Sequence, residues 1–233
     1  MEPILVYGFP LGSSMGLVAS LEWLGKPYRL CRVDMLGEMR EPSYARLNAR
    51  HETPAMITDD GRVLTETMAI AAWLEARDEE RRISFDPRSA QADRMHQLMA
   101  FLNTGFTGAF STLWVALEMS PPEPQFQESL RRYGRQAVIE RHDRLEAMLG
   151  DTPFLVGGRP TLADGVLIGV SRWLEFHKVA DVGCWPTLAA LSRIEADPAI
   201  AYAIAVENGE RPAGAGACVG HVPLAEVIER FGA

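Results

Sequence analysis

The segment His51-Glu52-Thr53-Pro54-Ala55-Met56-Ile57 constrains this chain more than any other. Pro54 at the head of a strand has no N–H to give to a sheet ladder, and it holds Thr53 in an extended backbone. The N–H and C=O of Thr53 are thereby left to pair with something outside the chain. Asp59-Asp60-Gly61 then supplies turn residues between two short apolar runs, Ala55–Thr58 and Arg62–Leu64, which predicts a tight antiparallel hairpin. Such a hairpin returns Glu66-Thr67 to the side of Thr53-Pro54. One small surface then offers a free backbone edge, a carboxylate and a hydroxyl. That set suits an extended, peptide-like ligand carrying its own amine and carboxylates.

The hairpin sits in an alternating pattern. Ile4–Gly8 and Tyr28–Asp34 read as strands on either side of a helix from Ser14 to Leu24 that Gly25 closes, which is a βαβ unit. A short helix around Ser43–Ala49 leads into the hairpin, and Met68, Ile70-Ala71 and Trp73-Leu74 give helical spacing from Glu66 to Ala76. The order β-α-β-α-β-β-α predicts a small mixed sheet, parallel at first and antiparallel at last, with helices on its faces. The charge run from Glu75 to Arg82, before Asp86-Pro87, reads as a helix end entering a solvated linker. One domain is therefore expected over residues 1–80 and a second over 88–233.

The second domain reads as helical to about Asn208. Ser89–Leu117 has apolar residues at helical spacing, interrupted by Gly105 and Gly108, and Phe126–Leu149 forms a second long amphipathic run. Thr161-Leu162-Ala163-Asp164 has the form of a capping box opening a helix to His177; a cap stabilises by roughly 1 kcal/mol and serves folding, not catalysis. Shorter helices are expected over 186–196 and 198–207. The Gly/Ala/Pro-rich tail ends in an amphipathic segment, Leu224–Phe231, and two readings of it stand: a cover over a cleft between the domains, or an element packed on the surface.

Composition removes several function classes. The net charge is −8 and the 23 Lys and Arg residues are scattered, so no basic stripe is present to neutralise a phosphate backbone, and nucleic acid is not expected as a partner. No apolar run nears the roughly 20 residues of a membrane span, and Met1-Glu2-Pro3 lacks a basic signal start, which makes a cytoplasmic protein with no membrane partner the expectation. Cys31, Cys184 and Cys218 lack C-x-x-C spacing and read as idle thiols, with no metal site.

Taken together, these motifs resemble the cytosolic glutathione transferases over roughly residues 3 to 208. Thr53-Pro54-Ala55 matches the cis-Pro of that family, Leu64-Thr65-Glu66-Thr67 its Glu-Ser or Glu-Thr pair, Thr161 to Asp164 its buried helix cap, and Asp197-Pro198-Ala199 the start of its last regular helix. Tyr7 to Ser14 and Ala109-Phe110-Ser111 are most similar to bacterial beta-like members. The resemblance implies a thioredoxin-like α/β N-terminal domain and an all-α C-terminal domain with a hydrophobic substrate pocket. It implies glutathione as co-substrate, its cysteinyl backbone pairing with Thr53 beside Glu52 and Pro54, and its γ-glutamyl end on Glu66 and Thr67, where a helix N-terminus favours a carboxylate. Ser13 stands where beta-like members carry a catalytic Cys, and Ser14 follows it. A hydroxyl there would donate to the glutathione thiolate and lower the thiol pKa from about 8.5. The implied reaction is attack of that thiolate on a small hydrophobic electrophile, in a homodimer where the N-terminal domain of one subunit faces the helical domain of the other.

Plainer roles remain open for each residue. Ser13 or Ser14 could simply cap the first helix, and Glu66 could be a first-turn acid matched to the helix dipole. Tyr7 ends a strand where other classes keep a catalytic Tyr, but its alternation with Leu5 fits sheet packing. Phe9, Phe106, Phe110 and Trp114 are candidate pocket residues; the spacing of four between the last three fits a core equally well. His51-Glu52 departs from the family's usual Gly followed by Lys or Gln, and an acid at 52 is a poor neighbour for the glycyl carboxylate. Ala100 and Thr107 replace the Asn and His of beta-like members, leaving the class open. The missing Cys and the acidic Glu52 keep a second possibility in play: a non-catalytic member of the fold that binds a hydrophobic ligand or a protein.

Overall fold

A computed structural model describes residues 1–191, 194 and 196–232. Five strands form one sheet in the order β4-β3-β1-β2-β5. Strand β1 (Ile4–Phe9) runs parallel to β2 (Tyr28–Asp34) and antiparallel to β3 (Ala55–Ile57), which pairs antiparallel with β4 (Val63–Thr65). Helix α1 (Met15–Leu24) makes the crossover from β1 to β2. Every residue of α1 except Trp23 is buried, because the helix has the sheet on one side and the helical domain on the other. Gly25, at φ +70°, ends it by donating its N–H to Leu21. Helix α2 (Thr67–Glu75) follows the hairpin.

The expected helix over 43–49 is instead a pair of 3₁₀ turns, Glu38–Arg40 and Pro42–Arg46. Asn48 stops the second: its side chain accepts from the N–H of Arg50 and its carbonyl from the N–H of His51, a local turn that competes with helix. The charge run after α2 is also more than a solvated linker. Asp78 is buried and accepts from the N–H groups of Arg82 and Ile83 and from the Ser84 hydroxyl, so one carboxylate folds the connection into a defined turn.

Beyond it come α3 (Ala90–Ala100), a π-helical stretch over Phe101–Phe106, α4 (Thr107–Ala109), α5 (Ser111–Glu118) and α6 (Pro124–Met148). The expected long helix is thus widened at Gly105, where backbone freedom is greatest. Then follow α7 (Leu162–Ser171), α8 (Trp173–Phe176), α9 (Pro186–Leu191) and α10 (Pro198–Glu207). Positions 192, 193 and 195 of the expected 186–196 helix lie outside the described residues. Asp164 accepts from the N–H and hydroxyl of Thr161, each at 2.8 Å, and from the N–H of Leu155 at 2.9 Å, so the capping box also anchors the preceding loop.

The tail corrects the expected domain division. Strand β5 (Cys218–His221) joins the sheet parallel to β2, and α11 (Leu224–Phe231) packs on the sheet face opposite α1. Alternate residues of β1 separate the two faces, Leu5 and Tyr7 toward α1, Ile4 and Val6 toward Val227 and Ile228. Residues 218–231 therefore belong to the sheet and not to the helical domain. Among the described residues, no helix is long and apolar enough to cross a membrane.

Candidate active site

Pairing of Ala55 with Thr65 brings Thr53-Pro54 beside Glu66-Thr67. The Thr53-Pro54 bond is cis, Thr53 is half-buried, and neither its N–H nor its C=O has a protein partner among the described residues. Glu66 precedes α2 with φ +73°, a conformation rare outside glycine, and no side chain caps the helix. The first intrahelical acceptor is the Glu66 carbonyl, serving Ile70, which leaves the N–H groups of Thr67, Met68 and Ala69 facing outward beside the Thr67 hydroxyl. An anion placed there meets amides and the positive end of the helix.

Arg50, which the spacing of residues gave no reason to single out, lies across this surface. Its guanidinium pairs with Glu52 at 2.9 Å and with Glu66. Glu52 is therefore paired within the protein, although Arg50 shares its one positive charge between Glu52 and Glu66. The pairing required the folded hairpin, since Arg50 and Glu66 are 16 residues apart.

The loop from Gly8 to Ser14 forms the adjoining wall. A Cβ on Gly8 would lie 2.4 Å from Thr53 Oγ1, and one on Gly12 would lie 2.2 Å from the Gly8 carbonyl oxygen, so both glycines are required by close approach. Ser14 is fully buried and its hydroxyl accepts the N–H of Gly8 at 2.9 Å. It makes no side-chain cap either, so neither role expected for Ser14, thiol contact or capping, matches its position; it closes the loop internally. Ser13 is half-buried, and its hydroxyl has no partner among the described residues. Tyr7 is buried, donates to the Val206 carbonyl at 2.9 Å, and has its phenol pushed above the ordinary range by burial. It is a packing residue.

The helical domain grips the same loop. Gly12 donates its N–H to Oε1 of the buried Glu207 at 2.9 Å, Arg172 forks onto that carboxylate, and Trp173 donates its indole N–H to the Leu11 carbonyl at 2.8 Å. Glu207 and Trp173 carried no sequence signal, because their loop partners lie more than 150 residues away in the chain, and Arg172 acts on the loop only through Glu207, 35 residues on.

Of the four aromatic candidates, Phe9 is half-buried with the Arg32 guanidinium 3.2 Å from its ring centroid. Trp114 is half-buried and packs on Trp173 and His177, at 5.3 and 4.4 Å between ring centroids. Phe110 is a correction: it is fully buried against Trp173, 5.6 Å between ring centroids, and Phe106 is buried as well, against His142 at 4.4 Å, but it lines a cavity. That cavity, of about 400 Å³, is lined also by His142 of α6, by residues of α7, α8 and α9 and by Ala180 to Val182, and by no residue of the sheet.

The chain is 24% identical over 201 residues to glutathione S-transferase GstA of Escherichia coli O157:H7, covering 85% of this chain and 96% of that protein. It is 26% identical over 206 residues to a maleylacetoacetate isomerase of Pseudomonas aeruginosa, covering 86% of this chain and 95% of the relative. The structure of a glutathione transferase homolog from Sulfitobacter, solved with bound glutathione, superposes with a TM-score of 0.77 at 21% identity, covering 90% of this chain and 99% of that one, a likeness of fold. The glutathione S-transferase N-terminal domain model matches residues 14–77, and the C-terminal domain model matches 108–196. With both domains matched in order, over the sheet that carries Thr53 and Glu66 and the helices that hold its loop, the chain belongs to the glutathione S-transferase family.

Proposed function

We propose that this protein binds glutathione along Thr53, Glu66 and Thr67 and activates its thiolate beside Ser13 for attack on a small hydrophobic electrophile. The observation that carries this reading is the unpaired backbone of Thr53 beside the uncapped start of α2. A cysteinyl backbone adds to Thr53 as a short antiparallel strand, and the γ-glutamyl carboxylate takes the N–H groups at the head of α2. Glu66 accepts the γ-glutamyl ammonium, which takes the place of Arg50 on that carboxylate and lets the guanidinium, still beside Glu52, turn to the glycyl carboxylate.

The Ser13 hydroxyl, free of protein partners, donates to the sulfur, which is thereby favoured as thiolate. The thiolate then attacks the electrophilic carbon, and the electron pair leaves with the displaced group or is returned when a double bond isomerises. Phe9 and Trp114, both half-buried, furnish the apolar wall for the electrophile. The names of the two sequence relatives, a glutathione S-transferase and an isomerase, support a transferase or isomerase reaction. A homodimer belongs to the same reading, supported by exposed Val115, Phe126 and Tyr133 on α5 and α6, and sedimentation of a single monomeric species would remove it.

Steady-state assays with an activated aryl halide and with a cis-enedione test the chemistry. Glutathione-dependent turnover of either supports the enzyme. Glutathione binding without turnover of any electrophile in a broad panel would move the assignment to a non-catalytic binding protein.

A further inference from the structure

Residues 38–52 link β2 to Thr53, and they are held from a direction the glutathione site does not share. Tyr44, fully buried, donates its hydroxyl to the Glu52 carbonyl at 3.0 Å, and the buried Asn48 donates its amide to the same oxygen at 2.9 Å. The Glu52 carbonyl and the Thr53 N–H belong to one trans peptide and point to opposite sides of it. Two donors that fix the carbonyl therefore fix the direction of the Thr53 N–H.

Tyr44 is in turn packed by the tail. Its ring and Leu47 share one core with Val222, Val227 and Ile228. Arg46 donates to the Gly232 carbonyl at 2.9 Å, so the end of α11 is also tied to the 3₁₀ turn that carries Tyr44. The tail itself is anchored on the sheet by Tyr28 N–H to the Ala217 carbonyl at 3.1 Å and Val222 N–H to the Leu30 carbonyl at 2.8 Å, and by Ala215 N–H to the buried Glu22 carboxylate at 2.6 Å. This segment lies beyond both matched family domains.

We propose that Tyr44 and Asn48 are positioning residues for the Thr53 N–H, and that the β5–α11 tail is the brace that holds Tyr44 in place, so that a segment remote from glutathione sets the affinity for it. The inference rests on the reading of Thr53 as the glutathione backbone contact. The brace acts on binding, because among the described residues no hydrogen bond joins the tail to the Ser13 loop.

Two variants test it. Tyr44→Phe keeps the ring in its core and removes one of the two donors; glutathione affinity should fall about five-fold, the scale of one hydrogen bond, and KM for glutathione should rise with it, while kcat and KM for the electrophile stay unchanged. A double variant, Val227→Ala with Ile228→Ala, should speed amide hydrogen exchange across residues 38–53 and leave β1 and α1 protected; should it not fold, Ile228→Val is read by the same measurement. Wild-type affinity in Tyr44→Phe, or unchanged exchange over 38–53 in the α11 variant, would overturn the proposal. If the unaltered protein binds no glutathione, the functional reading fails and the positioning role with it, whereas the exchange experiment needs no ligand and decides the brace separately.

Discussion

Ser13 and Ser14 are neighbours in sequence with opposite surroundings, and they show what one residue can and cannot reveal. Both stand at the start of a helix, where a serine is expected for capping alone. What separates them is the N–H of Gly8, which the folded loop delivers to Ser14 and which no local pattern announces. Ser13→Ala should raise the thiol pKa of bound glutathione toward 8.5 and slow turnover, with the melting temperature unchanged; Ser14→Ala should cost roughly 1–3 kcal/mol by leaving the buried Gly8 N–H unpaired. Ultraviolet titration of the thiolate and thermal melts read the two effects, and an exchange of outcomes between the serines would reverse their assignment. Glu66 is exposed, so Glu66→Gln should weaken glutathione binding with little loss of stability. A large drop in melting temperature would instead make it a helix-dipole acid.

At the scale of elements, the βαβ unit, the hairpin and the ends of α10 and α11 were legible because period and punctuation agree there. Asp197-Pro198 starts α10 with Asp197 accepting the Ala199 N–H, as a cap should. Strand β5 was not legible: Cys218-Val219-Gly220-His221 has a glycine inside it and pairs on one side only, so its identity comes from β2 and not from its own residues. Glycines of α1 and α7 were equally silent. A Cβ on Gly16 would come 1.8 Å from the Gly165 carbonyl oxygen, so the two helices meet backbone to backbone and fix the domains against each other. Gly16→Ala should therefore destabilise by about 1–3 kcal/mol, the cost of overpacking, despite alanine's better helix propensity. Chemical denaturation checks the sign, and a stabilised variant would refute the contact.

For the molecule as a whole, acid stability depends on a buried imidazole. His142 lies between the Phe106 and Trp185 rings, donates through Nδ1 to the Val138 carbonyl, and is pushed down to about 4 by burial. The folded pKa is below the unfolded value near 6.5, so the folded state resists the proton: this contribution is complete above about pH 6.5 and is lost as pH falls toward 4, on the order of 3 kcal/mol in all. Denaturation at pH 7 and pH 4.5 should show that loss in the natural protein and a smaller one in His142→Phe; equal losses would remove His142 as the cause. The candidate site was largely legible in Thr53-Pro54 and Glu66-Thr67 as a surface, since its core is a local hairpin. Arg50, Trp173, Glu207 and the tail were not, because each acts across a contact that exists only after folding. Calorimetric titration of the purified protein with reduced glutathione tests the site most directly. Saturable binding at one site per chain, with a dissociation constant in the millimolar range or tighter, is the expected result; a titration without binding heat at any temperature tried would contradict it.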